Sequence, residues 1–161
     1  MNIETLKQPF VILFVGPPMS GKTTWKNTNF PDIDVISRDE ILMEVYGSRD
    51  YTEAFRNVDQ KLVDKTLKDR FEEYSKEGRD TIIDMTNLTP KTRRKNLSYF
   101  GKEYTKIAVA FPILSDEEYQ RRNDYRQEIE NKYIPQSVMK SMISSYAVPT
   151  LEEGLNEIII L

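Results

Sequence analysis

The residues Gly16-Pro17-Pro18-Met19-Ser20-Gly21-Lys22-Thr23 satisfy every fixed position of G-x-x-x-x-G-K-[ST], the loop that cradles phosphates. Gly16 and Gly21 let the backbone, Ser20 included, turn its N–H groups inward around an anion, where a Cβ would obstruct the approach of the phosphates. Lys22 brings a mobile positive charge to the β- and γ-phosphates of a nucleotide. Thr23 offers a hydroxyl to Mg²⁺, and Thr24 a second hydroxyl near the α-phosphate. A helix opening at Lys22 adds the partial positive charge of its N-terminus. The chemistry expected of this stretch is the binding of ATP with Mg²⁺.

The rest of the chain limits what could act on that nucleotide. It contains no histidine and no cysteine, which excludes imidazole and thiolate metal sites, Cys or His nucleophiles and the Ser-His-Asp triad. General-base chemistry then falls to carboxylates. Asp39, within Ser37-Arg38-Asp39-Glu40, is either a helix N-cap or the base, because that cluster ends a short strand and faces the crevice of an open α/β sheet. Asp84 ends another strand, a place from which Mg²⁺ is held through water, and Thr86 and Asn87 continue from it into the crevice. Arg122 and Arg126 are four apart, so they share a helix face and either reach one anion together or pair with nearby acids. Lys91-Thr92-Arg93-Arg94-Lys95 is a basic cluster that reads as an exposed helix face or as a contact for nucleic acid.

These residues need an alternating framework to bring them together, and the sequence supplies one. Phe10–Val15 is a short, uninterrupted apolar run, as expected of a central parallel strand. Strands are also predicted over 32–37, 81–84, 105–111 and 158–161. Helices are predicted from Lys22 to about Asn29, from Ile41, over 52–76 as one long element ending near Gly78, from Pro90 to about Phe100, from Ser115, and over 135–145. In the long element Phe55, Val58, Leu62, Leu67, Phe71 and Tyr74 are expected to pack. In the last helix Ile134, Val138, Met139 and Met142 are expected to point inward. The pattern predicts a single α/β domain over 1–161 with a parallel sheet.

Charge and hydropathy exclude other classes. Twenty-three basic against twenty-six acidic residues leave a net charge of -3, so no global basic field holds nucleic acid, and such a partner would be met locally at an end. The first residues lack the pattern of a signal peptide, and no apolar run approaches the roughly 18 residues of a membrane span. A soluble, cytoplasmic protein without membrane partners is expected.

With these pieces in place the chain resembles the 5′-hydroxyl polynucleotide kinases, the kinase domain of phage and eukaryotic polynucleotide kinase-phosphatases. The resemblance rests on Gly16 to Thr24 with Trp25, on Ser37-Arg38-Asp39, on Ile82-Ile83-Asp84 with Thr86-Asn87-Leu88, on Arg122-Asn123 with Arg126, and on the helix around Val138 to Met142. It implies a three-layer, adenylate-kinase-like P-loop sandwich with a five-stranded parallel sheet of order 2-3-1-4-5. An arginine-bearing lid over about 119–134 is implied as well. It also implies that Lys22 and Thr23 hold the ATP phosphates and Mg²⁺, that Asp39 is the general base, and that Arg126, helped by Arg122, clamps the β- and γ-phosphates. Arg38, Leu42, Thr86 and Asn87 would line the acceptor. Phage members carry an arginine where this chain has Leu42, and the phosphatase signature is absent. The expected activity is transfer of the γ-phosphate to a hydroxyl, foremost the 5′-OH of a DNA or RNA end. The alternatives are a kinase for another alcohol (a hydroxymethyl base, nucleoside or metabolite) and a nucleotide-dependent switch without an acceptor.

Overall fold

The computed structural model describes residues 5–161. Five strands form one parallel sheet in the order β2-β3-β1-β4-β5: β1 is Phe10–Val15, β2 Asp34–Ile36, β3 Thr81–Ile83, β4 Thr105–Ala110 and β5 Glu157–Ile160. Seven α-helices are described: α1 Lys22–Asn29, α2 Arg38–Tyr46, α3 Tyr51–Asn57, α4 Gln60–Lys76, α5 Pro90–Leu97, α6 Asp116–Glu130 and α7 Gln136–Ser145. This is the order expected from the family resemblance. Among the described residues no helix is long and apolar enough to cross a membrane.

Strand periodicity divides the core. Val11, Leu13 and Val15 face one way, into a cluster with Phe71, Leu97, Phe100 and Tyr104; Phe10, Ile12 and Phe14 face the other, against Phe30, Phe111 and Trp25. Every residue of β1 is buried, which explains why it reads as unbroken apolar sequence rather than as an alternation. A third cluster, Ile41, Leu42, Met43, Ala54 and Val63, joins α2, α3 and α4 beside the sheet.

The long helix predicted over 52–76 is two. Val58 is extended (φ -70°, ψ 148°), and the Asp59 side chain accepts from the N–H groups of Lys61 and Leu62, so a fresh N-cap outcompetes continuation of the helix. The break changes the buried faces: Phe55 and Leu62 are exposed and Val63 is buried. Val138, expected inward, is exposed as well. β5 begins one residue earlier than predicted, and Ile160 is 70% exposed because this is an edge strand.

The basic cluster on α5 is also divided. Arg93 has no exposed surface: its Nε and Nη2 donate to Glu153 Oε2 and Oε1 (2.6 and 2.7 Å), and its Nη1 to the carbonyls of Asn87, Leu88 and Ala147. Arg93 is therefore not a charge available to a nucleic acid, whereas Lys91, Arg94 and Lys95 remain exposed. The guanidinium holds the Glu153 carboxyl below its ordinary range.

Removing one partner of a buried pair strands the other, at a cost of about 3–5 kcal/mol. Glu153→Gln should lower stability by that order in denaturant unfolding at pH 7. Because the folded carboxyl is depressed, its contribution is full above about pH 4.3 and disappears as pH falls through the folded value. The gap between variant and wild type should therefore close in acid; a gap unchanged at pH 3 would contradict this account.

Candidate active site

The loop between β1 and α1 is built by local backbone constraints. A Cβ on Gly16 would stand 2.9 Å from Phe111 Cβ and 3.0 Å from Ser20 Oγ, so glycine there is required by the packing of β1 against the end of β4. Gly21 has open space around it but φ +100°, a conformation costly for any residue with a side chain. Packing at Gly16 and backbone conformation at Gly21 are thus reasons for glycine that hold with or without a bound anion. Ser20 is buried and donates from Oγ to Pro17 O (2.8 Å). Met19 takes φ +64°, and its carbonyl accepts from Arg122 Nη1 at 2.7 Å.

Lys22 folds back over this loop, donating from Nζ to the carbonyls of Gly16 (3.0 Å) and Pro17 (2.7 Å). Burial pulls its ammonium down to about 8; Asp84 opposes the shift, Arg126 adds to it and Asp39 opposes it. Those three side chains, from α2, α6 and the residue after β3, are the charges gathered around Lys22. Burial raises the Asp84 carboxyl, against the pull of Lys22. Thr23 and Thr24 lie exposed on the first turn of α1.

The N-cap alternative for Asp39 is removed by its neighbour. Ser37 caps α2, its side chain accepting from Glu40 N, which leaves the Asp39 carboxylate exposed in the first turn. It accepts from the Tyr51 hydroxyl at 3.2 Å. Burial, then the charge of Asp39 and this hydrogen bond, push the Tyr51 phenol up to about 12. Tyr51 is not recognisable from the sequence, because an aromatic opening a helix carries no signal separating it from packing. Arg38 donates to Gln60 and Asp64 (both 2.9 Å).

The arginines on α6 are not equivalent. Arg122 donates from Nε to Glu118 (2.6 Å) besides its bond to the phosphate loop. Arg121 and Arg122 together hold the Glu118 carboxyl down at about 2. Arg126 lies 3.8 Å from Glu130 through Nε, while its Nη1 is buried with no hydrogen-bond partner.

Two residues expected to line an acceptor are interior. Leu42 has no exposed surface and packs in the α2, α3 and α4 cluster, so it touches no substrate, and an arginine there would bury an unpaired charge. Asn87 is buried at φ +46°; its amide donates to Phe14 O (2.7 Å) and Met85 O, and its Oδ1 accepts from Asn96. With all of those groups engaged inside the protein, Asn87 braces the site rather than binding in it. Thr86, half-buried, accepts from Gly16 N through its carbonyl at 2.9 Å.

A family model described as an AAA domain matches residues 11–149. The chain is 25% identical over 164 residues to heterogeneous nuclear ribonucleoprotein U-like protein 2 of Mus musculus, an alignment covering 96% of this chain and 22% of that protein. The chain thus spans about a fifth of the length of the curated relatives it matches. The structure of the Pnkp1/Rnl/Hen1 RNA repair complex superposes with a TM-score of 0.68 at 23% identity, over 89% of this chain and 45% of that one. A fungal RNA kinase gives 0.55 at 18% identity over 94% and 38%. A gluconokinase from Sinorhizobium meliloti 1021 gives 0.55 at 11% over 97% and 83%. What is shared is the P-loop kinase fold.

Lys22 sets a pH dependence. Its charge is largely present below about pH 8 in the free protein, and a bound polyphosphate opposes its deprotonation. Nucleotide affinity should therefore fall above pH 8, by up to about tenfold per pH unit, with a proton taken up on binding. Calorimetric titrations of ATP in buffers of different ionisation enthalpy measure both, and the dependence should vanish in Lys22→Met.

Proposed function

The chain belongs to the AAA-domain family, and from that premise we propose that it is an ATP- and Mg²⁺-dependent kinase acting on a hydroxyl, foremost the 5′-OH end of DNA or RNA. The observation that carries this reading is the buried, unpartnered Nη1 of Arg126 beside Lys22. A guanidinium nitrogen left without an acceptor costs about 1–3 kcal/mol, a cost that an incoming phosphate oxygen removes.

In this reading the N–H groups of Ser20 to Thr24 and the Lys22 ammonium hold the nucleotide phosphates. The acceptor oxygen attacks the γ-phosphorus, the bond from that phosphorus to the bridging oxygen breaks, ADP leaves, and the hydroxyl proton passes to Asp39. Arg126 meets the charge spread over the transferring group, and Arg122 keeps the loop in place through Met19. Thr23 and Asp84 are the oxygen donors that would hold Mg²⁺, a hard cation that neutralises phosphate charge. Among the described residues no cluster of three or more Asp or Glu could hold a metal by itself, which fits an ion held jointly with a substrate's phosphates. Helix α6 would act as the lid, within a single domain, and Arg38 and Thr86 would lie along the acceptor path.

The polynucleotide acceptor is supported by the fold shared with the RNA repair complex and the RNA kinase. A different alcohol, such as a modified base, a nucleoside or a sugar acid, is favoured by the gluconokinase likeness and by the buried Leu42 where phage polynucleotide kinases carry an arginine. Labelled ATP with 5′-OH DNA, 5′-OH RNA, nucleosides, hydroxymethyl-base duplex and gluconate separates the two.

Two variants test the roles. Asp39→Asn should bind ATP as wild type does and lose transfer by at least about a hundredfold; because Ser37 rather than Asp39 caps α2, no capping change confuses the result. Arg126→Lys should also lose much of the rate, since an ammonium cannot reproduce the planar fork. Wild-type turnover in Arg126→Lys would sink the clamp.

A further inference from the structure

Helix α3 brings to the crevice a residue that the kinase reading does not use. Tyr51 opens that helix, and its hydroxyl donates to Asp39 Oδ1 at 3.2 Å. The other carboxylate oxygen, Oδ2, accepts from no described residue. The Tyr51 ring has two contacts. The Phe55 ring, one turn on, stacks against it with centroids 5.9 Å apart and planes 28° apart, and the Lys132 ammonium lies 4.4 Å from its centroid. The next residue, Thr52, donates from Oγ1 to the carbonyl of Asn131, the C-cap of α6. The hydroxyl is thus carried by a ring that packing has already oriented, on a helix tied to the end of α6.

We propose that Tyr51 is a positioning residue for Asp39, a proposal that rests on the kinase reading above. An exposed aspartate on the first turn of a helix rotates freely about two side-chain bonds, and a base contributes to transfer only when its oxygen is within hydrogen-bond reach of the acceptor proton. By holding Oδ1, the Tyr51 hydroxyl fixes the carboxylate plane and leaves Oδ2 as the oxygen presented to the acceptor. This is the arrangement of a base oriented by a third group, with a phenol as the orienting group. Arg38, the cation of that turn, donates to Gln60 and Asp64 instead, so it does not duplicate the role. Tyr51 passes no proton in the reaction: its phenol, pushed up to about 12, stays protonated and donating.

The test compares Tyr51→Phe, Tyr51→Leu and Asp39→Asn, using ATP and whichever acceptor of the panel the wild type phosphorylates best. Tyr51→Phe keeps the ring, and with it the Phe55 stack and the Lys132 contact, and removes only the hydroxyl. It should lower kcat by about tenfold or more, the scale of one hydrogen bond to a charged group. Acceptor KM and ATP affinity should stay within about twofold, a split that loosened packing would not produce. Tyr51→Leu should lose kcat at least as much. If Asp39→Asn abolishes transfer while Tyr51→Phe turns over like wild type, the positioning role is overturned and the kinase reading stands; a defect confined to Tyr51→Leu has the same meaning, because the ring alone then matters. If Asp39→Asn itself retains full transfer, the base assignment fails and the role of Tyr51 fails with it.

Discussion

A guanidinium with no exposed surface must have all its donors met inside the protein, and the way Arg93 meets this demand fixes the geometry around the phosphate loop. Two of its nitrogens go to Glu153 and the third to the carbonyls of Asn87, Leu88 and Ala147. Asn87, held at positive φ, reaches back to the carbonyl of Phe14 in the strand that feeds the loop. The adjoining carbonyl of Thr86 takes the N–H of Gly16, the loop's first residue. One buried ion pair therefore joins the C-terminal segment, the turn after β3 and the start of the phosphate loop. Such a pair contributes little net stability compared with apolar packing, but it admits few alternative arrangements. Its benefit here is geometric: the carboxyl ends of β1 and β3 are held in one relation.

On that frame the crevice collects charges that do not satisfy one another. Lys22 is held by two loop carbonyls rather than by a carboxylate, and its ammonium is depressed by burial. Asp84 is raised for the same reason. Arg126 keeps one buried nitrogen without a partner. Groups destabilised in this way are complemented by an anion carrying its own cation. Electrostatic preorganisation of this kind, more than any single contact, is what phosphoryl transfer asks of a protein.

The fold fixes the phosphate loop more firmly than the wall that carries Asp39. The phosphate loop and the strand before it are local, rigid and buried. The wall that carries Asp39 and Tyr51 is made by α2 and α3, whose apolar cluster meets a main core through Leu67. Folds of this class serve many acceptors by varying such segments, which is why shared architecture alone does not name one.

The phosphate loop, the central strand and the order of strands and helices were legible in the sequence, because each depends on residues close together in the chain. The spacing of Gly16, Gly21, Lys22 and Thr23 dictates a backbone shape whatever surrounds it, and an apolar run as short as β1 has few places to go. What the sequence could not give was the partner of each charge. Arg93 reads as one more basic residue on a helix face until Glu153, sixty positions later, is folded against it. Leu42 and Asn87 read as acceptor residues until packing places them inside. Tyr51 carries no signal at all until α3, detached from α4 by the cap at Asp59, sets its hydroxyl on Asp39. Local spacing determines backbone conformation, but burial and pairing depend on segments distant in the chain, so only the tertiary structure decided which of these side chains face the crevice and which hold it together.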